Sequence, residues 1–199
     1  PAVRSRDPRP GARRPGGGTV VTGGGSLCLL LHSHMPYVEG FGTWPFGEEW
    51  LFEAAASSYL PLLDVLEDAP VTVTITPVLA DQLEAMADGD AGDRFLTFVR
   101  ELRAHVHAED ARELETGGEP GLAEELRRAA GDYERADAAF ERHGRDLVAA
   151  FARLERAELW TSSATHAALP LLATEVGIAL QLAAGGRSPG TRFWPRRGG

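Results

Sequence analysis

At 199 residues the chain is long enough to bury a core as one domain or as part of a larger one. A formal net charge of −9 at pH 7 argues against a general nucleic-acid binder or a protein drawn to anionic membranes, and leaves a neutral substrate such as a sugar open. A single cysteine, Cys28, excludes an internal disulfide and fits a reducing, cytoplasmic setting; no apolar stretch approaches the roughly 20 residues of a membrane span or is flanked as a signal peptide.

Residues 1–25 are rich in Pro, Gly and Arg, with Gly16-Gly17-Gly18 and Gly23-Gly24-Gly25. They are expected to form a disordered tail, because such a composition buries too little apolar surface to offset its ordering entropy. The arginines Arg4, Arg6, Arg9, Arg13 and Arg14 suit a solvated tail or contact with an acidic partner. The first residue is Pro rather than Met, which points to a fragment or to translated sequence upstream of the true start.

From residue 26 strand and helix signals alternate. Residues 26–32 read as a buried strand with Cys28 as a core thiol, followed by a loop through Tyr37, Gly40, Gly42 and Trp44. Residues 48–67 have helical apolar spacing. Residues 71–75, Val-Thr-Val-Thr-Ile, form a second strand rich in β-branched side chains, broken by Pro77. Helices are expected over residues 79–87 and 93–114, then over 121–156 with a break near Gly144. A third strand spans 158–162, a loop or turn 165–172, and a last helix 174–184. Strands separated by helices imply a parallel sheet. Three strands are too few for a closed barrel, so the sheet is either small and open or part of an incomplete barrel.

The helical stretch 95–156 mixes charges, as in Glu124-Glu125 against Arg127-Arg128, and reads as a solvated helical pair packed on the core. His105 and His107 lie two apart, which on a helix places them about 200° apart, so neither they nor His143 read as ligands.

His32-Ser33-His34-Met35-Pro36-Tyr37 carries more chemistry. Side chains on a strand alternate faces, so His32 and His34 point the same way at a strand's carboxyl end, where α/β folds build their sites. Two imidazoles there can bind a metal, hold a substrate hydroxyl or orient a catalytic group; they can also simply cap the strand. The segment from Glu158 to His166 repeats the arrangement: a short strand, small hydroxyl residues, then His166 on the same rim. The bland account of His166 is a buried imidazole bonded to a backbone carbonyl.

Several segments resemble the family 57 glycoside hydrolases. Leu30-Leu31-His32-Ser33-His34-Met35-Pro36-Tyr37-Val38 looks like the family's first signature. Trp44-Pro45-Phe46-Gly47-Glu48-Glu49-Trp50-Leu51-Phe52-Glu53-Ala54 is similar to its 1,4-α-glucan branching members, as are Tyr59-Leu60-Pro61-Leu62-Leu63 and Thr74-Ile75-Thr76-Pro77-Val78-Leu79-Ala80-Asp81-Gln82-Leu83. Trp160-Thr161-Ser162-Ser163-Ala164-Thr165-His166, continuing to Leu169-Pro170-Leu171-Leu172, resembles the second signature.

The resemblance implies an α/β fold in which residues 26–199 are the N-terminal part of an incomplete (β/α)7 barrel with a long helical insertion. It implies cleavage of an α-1,4 glucan and transfer of the chain to a 6-hydroxyl by a retaining mechanism, with amylase-type relatives as a broader possibility. A Glu attacks the anomeric carbon and an Asp serves as acid and base, their carboxyls about 5–5.5 Å apart. No metal or cofactor is required, and the expected partner is an α-glucan. No Trp-Leu-Pro-Glu-like segment for the nucleophile occurs here, so both catalytic carboxylates are expected beyond residue 199 and the chain alone is expected to be inactive. Glu48 and Glu49 sit at a helix start, where acidic side chains suit the dipole. By the resemblance, His32, His34 and His166 line a sugar subsite. Trp44 would stack on a sugar face or simply pack, Tyr37 is a further candidate, and Trp160 reads as core.

Two other classes stay open. A metal-dependent hydrolase or deacetylase would bind zinc through His32, His34 and a third ligand such as His166 or Asp81. Alternatively, the chain is an inactive truncated product, with apolar faces and sheet edges exposed.

Overall fold

The computed structural model describes residues 26–42, 47–87 and 89–193. The expected tail at residues 1–25 and the candidate Trp44 lie outside them. Three parallel strands form the sheet in the order β1 (Leu30–Ser33), β2 (Thr72–Ile75), β3 (Glu158–Trp160). Parallel neighbours need long crossovers, and helices supply them.

The first crossover is one helical rod: α1 (Glu49–Ala54), a π-turn over Ala55–Tyr59, and α2 (Leu60–Leu66). The second holds α3 (Pro77–Ala87), then a rod of α4 (Asp90–Thr97), a π-turn (Phe98–Arg103) and α5 (Ala104–Thr116), then α6 (Pro120–Arg142) and α7 (Leu147–Ala152). Pro120 starts α6, where its missing N–H is not needed. Gly144 and Arg145 adopt positive φ and end the expected long helix, and the Asp146 side chain caps α7 by accepting from the Ala149 amide. After β3 come a 3-10 turn (Leu169–Leu171) and α8 (Glu175–Arg192), capped by Thr174.

The register pairs His32 with Thr74 and Thr74 with Trp160. Aligned residues share a face. Leu31, Val73, Ile75 and Leu159 point to the helical side, where they join Leu51, Leu60, Leu79, Leu83, Leu147 and Phe151 in one core. Phe140 of α6 and Phe95 of α4 meet edge to face at 4.8 Å, and Phe95 meets Phe52 of α1 at 5.8 Å. These contacts join the insertion to the first rod. The surface pairs of the insertion, such as Arg100 with Asp137 and Arg112 with Glu109, are exposed and contribute little.

The opposite face carries Leu30, His32, Thr72, Thr74, Glu158 and Trp160. Leu30 and Trp160 are each 47% exposed. A parallel sheet is ordinarily covered on both faces; here, among the described residues, the helices cover one. This corrects three sequence expectations. The first strand begins at Leu30 and is half-open rather than buried. Cys28 precedes it and is exposed, not a core thiol. Trp160 stands on the open face rather than in the core. Each is apolar by composition, which does not reveal which face of the sheet the helices cover.

The last helix also departs from expectation, running to Arg192 rather than ending at residue 184. At Gly185, the first residue past the expected end, a Cβ would lie 2.1 Å from the Ser162 carbonyl oxygen. The glycine lets the helix touch the segment after β3 without being interrupted. No helix among the described residues is long and apolar enough to cross a membrane.

Candidate functional site

The carboxyl ends of the strands bring His32, His34 and His166 together. The His166 ring stacks on His32 at 4.7 Å between centroids, with planes 28° apart, and on His34 at 4.2 Å and 19°. The alternation of strand side chains thus sends both histidines of the pair to one side. His32 Nδ1 lies 2.5 Å from Thr74 Oγ1, its partner in the register, and His34 Nδ1 lies 3.4 Å from Thr76 Oγ1. Thr74 Oγ1 also lies 3.5 Å from the Leu31 carbonyl oxygen. With Nδ1 engaged by Thr74, Nε2 is the His32 ring nitrogen left to meet a ligand.

His166 has φ 58°, a left-handed conformation that His tolerates better than most residues. Its turn is held from several directions. The His166 amide donates to Ser163 O at 3.2 Å, and the Val78 amide to Ala164 O at 3.0 Å. Gln181 of α8 accepts from the Thr165 amide at 2.9 Å and donates to Thr165 Oγ1 at 3.0 Å. Thr161 adds a further tie. Pro189 lacks the N–H that would bond the Gly185 carbonyl one turn earlier, and the Thr161 hydroxyl donates to that carbonyl instead at 2.9 Å. An unusual backbone conformation held by this many bonds is typical of functional positions.

Burial, and then the like charge of His166, lower the pKa of His32 and of His34, the latter also through His32. Burial likewise lowers His107 and His143. Between these depressed values and the ordinary 6.5, the unfolded chain binds more protons than the folded one. The contribution of these groups to stability is therefore full above about pH 7 and is lost as pH falls through the folded pKa values. The expected result is a urea midpoint that declines from about pH 7.5 to 5, with a shallower decline in His34→Asn; an unchanged slope in that variant would refute the assignment.

The other candidates lie apart from the stack. Tyr37 is exposed, donates to Glu39 at 2.7 Å, and meets Phe41 edge-on at 6.5 Å, so its partners lie within its own loop. Trp160 shares the open face and a register row with His32. Asp81, considered as a third metal ligand, is paired with Arg192 of α8. Among the described residues no group of three or more His, Cys, Asp or Glu is placed to hold a metal ion; the stacked rings turn their faces, not converging nitrogens, to one another.

Two polar residues, Gln82 and Glu48, hold the loop after β1. Gln82 of α3 is fully buried and bonds its backbone. Glu48, also buried, accepts from the Gly40 amide at 3.1 Å and takes two bonds of 2.6 Å from Arg94. Burial pushes the Glu48 carboxyl up, but the Arg94 bonds and the Gly40 amide outweigh it and hold the pKa below the ordinary value. The signal for Gln82 is a polar residue on the helix face that carries Leu79, Leu83 and Met86.

The sequence model of glycosyl hydrolase family 57 matches residues 28–185. Over 171 residues the chain is 35% identical to the 1,4-alpha-glucan branching enzyme of Thermococcus kodakarensis, an alignment covering 81% of this chain and 24% of that one. It is 36% identical over 124 residues to a probable 1,4-alpha-glucan branching enzyme of Mycobacterium tuberculosis, covering 58% of this chain and 23% of that one. The chain therefore spans about a quarter of the length of these curated relatives. Among solved structures it resembles the GH57-type branching enzyme of Pyrococcus horikoshii, with TM-score 0.73 and 33% identity over 83% of this chain and 32% of that one. It shares its fold alone with the alpha-amylase AmyC of Thermotoga maritima, with TM-score 0.66 and 23% identity over 83% of this chain and 33% of that one.

Proposed function

This chain belongs to glycosyl hydrolase family 57, and we propose that it is the amino-terminal part of a 1,4-α-glucan branching enzyme whose histidines hold a glucan unit. The observation that carries this reading is the stack of His32, His34 and His166 at the carboxyl end of a parallel sheet, beside a sheet face left open. We assign the open face to the interior of an incomplete (β/α)7 barrel. Leu30 and Trp160 then need no helical partner on that side.

In this reading the chain's own groups bind and orient. His32 meets a sugar hydroxyl through Nε2, because Nδ1 is engaged by Thr74. His34 and His166, held face to face, present ring edges to neighbouring hydroxyls. Tyr37 stays a rim candidate for the apolar face of a sugar ring, and Trp44 is proposed for the same role. The chemistry divides a bond cleavage from a transfer: a Glu nucleophile and an Asp acid/base are assigned to the part of the fold outside this segment, as a retaining reaction requires.

The test is a titration of the histidine-labelled chain with maltoheptaose, followed through the ring resonances. The signals of His32, His34 and His166 are expected to move together, while those of His105 and His143 stay fixed. Movement of none of the three would overturn the reading, and His166→Ala should abolish the response of the remaining pair.

A further inference from the structure

We propose that Gln82 is a positioning residue for the sugar subsite: its side-chain amide fixes the loop after β1, and with it the place of His34 and Tyr37. The proposal rests on the glucan-subsite reading above. Gln82 Oε1 accepts from the Val38 amide at 2.7 Å and the Glu39 amide at 3.3 Å. Its Nε2 donates to the Pro36 carbonyl at 3.1 Å and to the Val78 carbonyl at 3.1 Å. Both lone pairs and both hydrogens of the amide are thus used. Three of the four bonds go to one short stretch, residues 36–39, directly after His34.

The residue type is informative because packing does not need it. Gln82 is 0% exposed and sits among Leu79, Leu83 and Met86, where leucine would fill the space without a polar group to satisfy. A buried amide is retained here at a position that breaks the apolar pattern of its helix, and such exceptions gather at functional sites. No other side chain reproduces the contact set. Asn is one methylene shorter, Glu lacks the two donors, and Leu or Met leaves two amides and a carbonyl of the loop unpaired. From the other side the loop is held by Glu48 at Gly40, and Val38 is buried between the two anchors. His34 leaves β1 at the start of this clamped stretch and stacks on His166. Freeing residues 36–39 frees the backbone that aims the ring.

Amide exchange separates positioning from general stability. In Gln82→Met, protection of the Val38 and Glu39 amides is expected to fall about tenfold, while the Leu83 and Met86 amides of α3 keep theirs. The His34 ring signals should shift and maltoheptaose affinity should fall by a similar factor. Gln82→Glu supplies a second arm should the Met variant unfold. Its carboxylate faces the Pro36 and Val78 carbonyls, so loop protection should fall at neutral pH and recover in acid as the carboxyl regains a proton. The wild-type chain should show no such recovery. Val38 and Glu39 amides that keep their protection in both variants would overturn the proposal, as would a loosened loop with unchanged maltoheptaose affinity. A wild-type chain whose histidine signals ignore maltoheptaose would instead remove the glucan reading, and the exchange data would then decide the loop-holding role on their own.

Discussion

Gly185→Ala is expected to destabilise the chain by about 1–3 kcal/mol, whereas Gly186→Ala, one residue on, should stabilise it by up to about 1 kcal/mol. A Cβ at Gly185 would sit 2.1 Å from the Ser162 carbonyl oxygen, and a Cβ at Gly186 meets nothing within 4 Å. The first clash is with backbone, so no rotamer change relieves it. Either α8 or the segment from Thr161 to Thr165 has to move. The displacement would reach the site, because Gln181 and the Gly185 carbonyl are among the groups that hold that segment. At the second position only the helix-forming advantage of alanine remains. Urea unfolding of the two variants, with the His166 ring signals recorded in the folded state, checks both halves. Equal effects at the two glycines would show that the approach to Ser162 is not what the first one serves.

Phe140→Ala should cost about 3–5 kcal/mol, the range for emptying a buried aromatic site. Phe140 is 0% exposed, and its ring continues a run of three, from Phe52 through Phe95, that ties α1 to α6. Gly92 also sets the depth of this site, since a Cβ there would lie 2.4 Å from the Met86 carbonyl oxygen and 3.6 Å from the Phe140 ring. Leu122 on the same helix α6 is 55% exposed and provides the contrast: its truncation should stay within about 0.5 kcal/mol. Urea midpoints of the two variants measure this. A small loss at Phe140 would mean that the insertion relaxes into the space and is not fastened through these rings.

Much of the architecture was legible because it rests on local patterns. The β-branched run of β2, the Gly144 break, and the pairing of α5 with α6 are set by neighbours a few residues apart. The meeting of His32 and His34 with His166 was legible too, since strand alternation and two similar strand ends require no knowledge of distant contacts. The role of Gly185 is not legible, for the opposite reason. A glycine inside a helix looks like a terminator unless one knows that a carbonyl from residue 162 presses against it. Gln82 gave a faint signal, a polar residue on an apolar helix face, but nothing local says that residues 36–39 will arrive to use it.

The sequence by itself determined the family signatures, the parallel α/β order and the three histidines, because periodicity and short motifs carry that information along the chain. Only the tertiary structure decided which sheet face is covered, that the histidine rings stack, and that Gln82, Gln181 and Thr161 hold the two loops that bear them. Those outcomes depend on bonds between residues far apart in sequence, such as Val38 with Gln82 and Thr161 with Gly185. Their partners are chosen by where the helices pack, which no local pattern encodes.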